Sequence, residues 1–104
     1  MTKIKFNNND NYLFFINGYS RNTNFDLDNG TMNSYIYVNL TPSADILDKL
    51  QTLGFGTITD IELLRGNDEN IYSISNIEGH ITSIDESLQG NEIYINLNIQ
   101  VNNT

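Results

Sequence analysis

The run Glu92-Ile93-Tyr94-Ile95-Asn96-Leu97-Asn98-Ile99-Gln100-Val101 carries an aliphatic side chain at every odd position and a polar or aromatic one at every even position. Successive side chains of an extended chain point to opposite faces. The run is therefore a strand with one dry face and one face turned to water or to a partner. A chain with such a strand folds around a β-sheet that has an apolar core.

The stretch from Ser34 to Leu40 repeats the pattern, with Ser34, Ile36, Val38 and Leu40 alternating with Tyr35, Tyr37 and Asn39. Its aliphatic side faces the core, and its tyrosines cover a second layer or form a contact surface. Upstream, Lys3 to Phe6 is a short strand, and Asn7-Asn8-Asn9-Asp10-Asn11 reads as a solvated turn. That run holds one carboxylate, too few for calcium, which takes about six to eight fixed oxygens. Tyr12 to Ile16 is apolar throughout and predicts a strand buried on both faces. Asn17-Gly18 and Asn29-Gly30 are hairpin signals, because a two-residue type I′ turn needs φ > 0 at both positions. Together they predict a meander of strands at about 12–16, 19–28 and 31–40. Asp26-Leu27-Asp28-Asn29-Gly30 fails as a calcium loop, since its glycine comes one residue early and Tyr37 stands where the closing Glu belongs. Asp28 to Thr31 reads instead as the hairpin turn.

Thr41-Pro42 opens the one convincing helix. Thr41 is suited to cap it, Pro42 to its first position, and Asp45 to its positive end. Ala44, Ile46, Leu47, Leu50 and Leu53 recur at helical spacing, and Gly54 and Gly56 end the segment. Thr57 to Leu64 predicts a strand, with Asp60 and Glu62 on one side and Thr59, Ile61 and Leu63 on the other. Arg65 to Asn70 is a polar hairpin loop. Between 71 and 88 the signals conflict. Ile74, Ile77, Ile81, Ile84 and Leu88 have heptad-like spacing. The intervening Ser73, Ser75, Asn76, Gly79, His80, Thr82 and Ser83 are poor helix formers, costing together about 3–5 kcal/mol relative to alanine. The residue types favour a long strand bent near Glu78-Gly79, with a turn from Asp85 to Asn91 into the final strand. The expected fold is α+β: one domain over 1–104, about six to seven mostly antiparallel strands in hairpins and a meander, and a single amphipathic helix at about 42–53 packed on one face.

Charge narrows the functional classes. Thirteen acids against five bases give −8. Spread over roughly 5,900 Å² of surface for this size, that is about one net charge per ~740 Å². DNA shows one per ~1.7 Å of axis, so an overall DNA mimic is weakly supported. Lys3, Lys5, Arg21, Lys49 and Arg65 are few and scattered, which argues against direct nucleic-acid binding. There is no cysteine, hence no disulfide framework and no thiolate chemistry. The N-terminus has no apolar run of a signal peptide, and the longest apolar run is far short of the ~20 residues that span a membrane. A soluble, cytoplasmic protein is expected, without membrane partners.

Catalytic groups are sparse. His80 is the only histidine, and strand alternation puts Ser83 and Asp85 on the face opposite to it, so a triad is not expected. A zinc site would have to combine this one histidine with carboxylates alone. Asp26/Asp28, Asp60/Glu62, Asp68/Glu69 and Asp85/Glu86 read as solvated acids rather than the paired carboxylates of a glycosidase cleft, with Asp60 and Glu62 the exception, since they share a strand face and could bind a cation or a basic partner. No phosphate loop or nucleophile elbow is present. The expectation is a non-enzymatic interaction or assembly protein with no cofactor and no metal. Its partners would be other proteins, as a homo-oligomer or as a small phage virion or tail-associated component. The candidate interface is Tyr35, Tyr37, Tyr94, Asn96 and Asn98, with Tyr72 a further aromatic contributor. The alternative is an acidic anti-defence inhibitor that blocks the basic groove of a nuclease. It requires Asp60, Glu62, Asp68, Glu69, Asp85 and Glu86 to converge on one face.

Overall fold

The computed structural model describes residues 1–103. Seven strands, β1 (Thr2–Phe6), β2 (Leu13–Asp26), β3 (Thr31–Leu40), β4 (Ile61–Arg65), β5 (Glu69–Ile74), β6 (Gly79–Gln89) and β7 (Glu92–Asn103), form one antiparallel sheet in the order β5-β4-β1-β2-β3-β7-β6. One α-helix, α1 (Ile46–Gly54), packs against it, and a 3-10 turn spans Asp10–Tyr12. The fold is α+β with one helix on a sheet, as the sequence predicts.

β7 lies between β3 and β6, and its alternation sets the layers. Ile95, Leu97, Ile99 and Val101 are buried, paired with Leu40, Val38, Ile36 and Ser34 on β3. β1 and the first part of β2 add Ile4, Phe6, Phe14 and Ile16 to the same core, β4 adds Ile61 and Leu63, and α1 lays Ile46, Leu50 and Leu53 onto it. Each fully buried side chain of this kind contributes about 1.5–3 kcal/mol, so the core carries the fold.

The far ends of the strand order meet. Ile58, in the lead-in to β4, exchanges backbone hydrogen bonds of 2.7 and 2.9 Å with Gly79, the first residue of β6, and the Ile77 amide donates to the Thr59 carbonyl at 3.1 Å. The chain thus runs along β4 as β5, breaks over Ser75–Glu78 and leaves as β6 along β7, which curls the sheet round its apolar face. Asn76 supports the break with a left-handed backbone, φ 57°. Gly79 lies close against both neighbours at this junction. A Cβ there would stand 3.4 Å from both the Ile58 carbonyl oxygen and Val101 Cγ2. Asn7 holds the lead-in from the other side, its Oδ1 accepting from the Thr59 amide at 2.7 Å and its Nδ2 donating to the Thr57 carbonyl at 3.0 Å. The polar run after β1 is therefore a clamp as well as a turn.

Several local expectations need correction. Asn17-Gly18 is a bulge and not a turn: β2 runs on through it, Ile16 pairing with Leu40 and Gly18 with Asn39, so Asn17 is the extra residue. The predicted strands 12–16 and 19–28 are one strand. Its first part pairs with β1 and its second with β3. That first part is not buried on both faces, because Phe14 and Ile16 point inward while Phe15 is 46% exposed. The hairpin loop at Asn29-Gly30 is a real turn but holds the four residues between Asp26 and Thr31, with φ positive only at Gly30. The helix starts at Ile46 rather than at Pro42; Ser43 Oγ hydrogen-bonds the Asp45 carboxylate, and neither Thr41 nor Asp45 caps the helix with its side chain. Residues 57–60 are mostly lead-in, with β4 proper beginning at Ile61. The segment 71–88 is extended and not helical, yet it forms two strands with different partners rather than one.

The tip of the β2–β3 hairpin makes one pH prediction. The Asp26 carboxylate accepts from the Asn29 side chain at 2.8 Å and from the backbone amides of Asn29 and Asp28, and these bonds, the Asn29 side chain foremost, hold its pKa below the ordinary value of 3.8. A depressed pKa stabilises the tip above the unfolded value and loses that support as pH falls through the folded one. Titrated by NMR, Asp26 is expected to have a midpoint below 3.8, with the amide shifts of Asp28 and Asn29 following it. A midpoint at or above the ordinary value contradicts the capping role.

Candidate functional site

The even face of β7 is the outer face of the sheet, and there the five candidate interface residues come together. Tyr37 lies directly across from Asn98, Tyr35 across from Gln100, and Asn39 across from Asn96. Tyr94 occupies the open end of the same row, opposite Ser87 of β6. The outward positions of β2 from Ser20 to Asn24, of β3 from Asn33 to Asn39 and of β7 from Tyr94 to Gln100 hold only Ser, Asn, Tyr and Gln. In a chain of net charge −8, this is an uncharged strip three strands wide.

An amide ladder crosses it. Thr41 Oγ1 donates to Asn17 Oδ1 at 3.5 Å, Asn17 Nδ2 to Asn39 Oδ1 at 3.3 Å, and Asn39 Nδ2 to Asn96 Oδ1 at 3.0 Å. Asn98 Nδ2 points to β6, donating to Ser83 Oγ at 2.8 Å and Asp85 Oδ2 at 2.7 Å. These bonds fix the amides in one geometry, which lowers the ordering cost of using them for recognition. Tyr94 Oη donates to Glu92 Oε2 at 2.9 Å, and that bond together with the carboxylate's charge raises the phenol pKa above 10.0. Asn17 and Asn39 were not singled out from sequence. Asn-Gly is the signal for Asn17, but in sequence it has the composition of a turn and not of a bulge.

A second bulge changes the placement of the lone histidine. Ile81 pairs with Ile99 and Ser83 with Asn98, so Thr82 is the extra residue in β6. The bulge shifts the alternation by one, and His80, Ser83 and Asp85 share the outer face instead of opposing one another. They still do not form a relay: Ser83 and Asp85 both engage Asn98, while the nearest acid to His80 Nε2 is Glu78 at 3.9 Å. Among the described residues no group of three or more His, Asp or Glu is placed to hold a metal ion. No helix among them is long and apolar enough to cross a membrane.

The six candidate acidic residues fall in two groups, four around β4 and β5 and two on β6, at opposite ends of the strand order. Asp60 and Glu62 lie in and before β4, and Asp68 and Glu69 at the β4–β5 turn, where Lys3 reaches Asp68 at 2.9 Å and Arg65 reaches Glu69 at 3.4 Å. The Lys3 hydrogen bond first, and then the Lys3 charge, hold the Asp68 carboxyl below its ordinary pKa. Asp85 and Glu86 sit on β6, about 20 Å along the strand from the Gly79 junction. They point to opposite faces, Asp85 outward beside Asn96 and Glu86 inward beside Ile95. The convergence expected of an acidic patch is not found.

The inner face of β2 beyond the bulge holds an unforeseen polar cluster. The bulge turns Tyr19, Arg21 and Thr23 inward, opposite Val38, Ile36 and Ser34. Fully buried Ser34 accepts from Arg21 Nη2 at 3.0 Å and shares a 2.9 Å hydrogen bond with Thr23. Arg21 Nε and Tyr19 Oη are buried without a protein partner, and the Tyr19 ring packs on Tyr72 at 6.3 Å. Desolvation, followed by the Tyr72 phenol, raises the Tyr19 pKa, and Arg21 opposes the rise. Ser34→Ala removes the guanidinium's acceptor and is expected to cost about 1–3 kcal/mol in urea unfolding. In an Arg21→Met background the loss is expected to shrink, because no cation remains to be satisfied; equal losses in both backgrounds contradict the coupling. Tyr72, which the sequence offers as a contact aromatic, belongs to this cluster through its packing on Tyr19.

Comparison of the chain with protein-family models, with curated proteins and with solved structures finds no match in any of the three.

Proposed function

We propose that this protein acts by contact and not by catalysis, as an interaction or assembly protein that presents the outer face of β2, β3 and β7 to another protein. The observation that carries this reading is the uncharged strip itself, with Tyr35, Tyr37, Tyr94, Asn96 and Asn98 gathered on it and its amides already ordered by one another. Solubility in an acidic protein is served by carboxylates, and the strip itself carries none; Asp85 and Glu92 stand at its border, bonded to Asn98 and Tyr94. Tyrosine is enriched where proteins meet, since it offers a large apolar ring at low entropic cost and a hydroxyl that bonds at the rim. Interlocked Asn side chains supply both donors and acceptors for a polar partner surface. A place within a larger assembly, such as a virion or tail, is the setting in which a small contact-only protein of this kind would serve. The acidic-inhibitor reading draws no support from the dispersed carboxylates.

The test is native mass measurement of the full chain with and without cell lysate, for the unmodified protein and for a Tyr35→Ser/Tyr37→Ser variant. The reading expects a complex heavier than the 11.8 kDa chain that the double substitution removes while the thermal melt stays unchanged. A complex indifferent to the tyrosines, or none at all, contradicts it.

A further inference from the structure

Past the end of the core the apolar stripe of β7 continues into the open. Ile95, Leu97, Ile99 and Val101 are buried, yet Ile93, next in the series on the same face, is 41% exposed, and its cross-strand partner Leu88 is 66% exposed. Leu47 of α1 is half exposed on the same side. Pro42, Ala44, Leu47, Glu86 and Ile93 line a groove of about 420 Å³ there. Through Pro42 and Ile93 it adjoins a second hollow of about 580 Å³ that reaches Asn39, Glu92 and Tyr94, at the border of the outer face. The apolar groove and the uncharged strip are therefore neighbours round one corner of the sheet.

Charge identifies what the groove accepts. Glu86 lines it and Glu92 lines the adjoining hollow, and among the described residues no base pairs with either. Lys3 pairs with Asp68, Lys5 with Asp10, Lys49 with Asp45 and Arg65 with Glu69, while Arg21 donates inward to Ser34. Glu92 has only the Tyr94 hydroxyl. A second copy of this chain is a poor occupant, because its cations are engaged in the same way and both copies carry −8. We infer that the groove is a docking site for a segment of a different protein, one that sets aliphatic side chains against Leu47 and Ile93 and places Lys or Arg beside Glu86 and Glu92. Aliphatic anchors supply the affinity, and the two carboxylates supply selection against acidic segments. This inference rests on the reading of the protein as an interaction module and names the chemistry of one part of its partner.

A random peptide display library panned against the full chain tests it. Enriched peptides are expected to combine Leu, Ile, Val or Phe with Lys or Arg. Leu47→Ser and Ile93→Ser, both at partly exposed positions, are each expected to weaken the best synthetic peptide by about tenfold. Glu86→Gln with Glu92→Gln is expected to weaken it and to flatten its salt dependence. Amide shifts on peptide addition should centre on Ala44, Leu47, Glu86 and Ile93. No enrichment, acidic peptides, or binding indifferent to Leu47 and Ile93 overturns the groove. Peptides that depend on Tyr35 and Tyr37 instead overturn the groove but leave the outer-face reading standing. Groove-binding peptides together with a chain that stays monomeric in lysate support the groove and sink the outer-face reading.

Discussion

Leu97→Ala is expected to lose about 2–5 kcal/mol of unfolding free energy, while Asn98→Ala, one residue on, loses no more than about 1 kcal/mol. Leu97 is fully buried at the centre of β7, paired with Val38 on one side and Ile84 on the other. Truncating it removes the transfer free energy of the lost methyl groups and leaves a cavity that close-packed neighbours fill only in part. Asn98 points the other way, and its bonds to Ser83 and Asp85 are at the surface, where water replaces them. Urea unfolding of the two variants measures the difference directly. Comparable losses at both positions would mean that β7 does not divide a dry face from a wet one.

The second large effect belongs to the junction that curls the sheet. Gly79→Val is expected to cost about 1–3 kcal/mol, because its γ-methyls extend from a Cβ already in contact with the Ile58 carbonyl and Val101. Gly79→Ala is expected to be near neutral: its Cβ meets both neighbours at 3.4 Å, ordinary contact distance, and alanine reduces the freedom of the unfolded chain. The diagnostic reading is hydrogen exchange. In the valine variant the amides of Ile58 and Gly79, which bond one another's carbonyls at 2.7 and 2.9 Å, should exchange faster than those at the centre of β7. If the valine costs nothing, the two ends of the strand order do not depend on close approach.

Much of this architecture was legible because hydrophobic alternation is a local signal. The inward series of β7 and β3 could be read directly, and the pairing of those strands then brought Tyr35, Tyr37, Asn96 and Asn98 onto one face. What was not legible depends on distant partners. Asn17-Gly18 has the composition of a turn, but a turn there would strand β2 without the second half of its ladder with β3; the sheet absorbs the extra residue as a bulge instead. The bulge at Thr82 likewise leaves no mark in the sequence, and it alone decides that His80 and Ser83 share a face. In sequence Arg21 is only one of five scattered bases, since its inward orientation follows from the Asn17 bulge. The helix start was misplaced because Thr41-Pro42 satisfies the rules for a cap, whereas the Thr41 amide is committed to the Phe15 carbonyl at 2.9 Å as β3 ends. Residues 71–88 show the same limit from the other side: composition excluded the helix, but only the pairing of Gly79 with Ile58 shows where β5 ends and β6 begins.

The central claim is that the tyrosine and amide strip is a contact surface for another protein. Native mass spectrometry of the chain recovered from lysate, with and without Tyr35→Ser/Tyr37→Ser, tests it most directly. The account predicts a discrete complex above 11.8 kDa that vanishes on substituting the two tyrosines, with the fold intact by thermal melting. A complex of unchanged mass and yield in the variant, or a chain that is monomeric throughout, would contradict it.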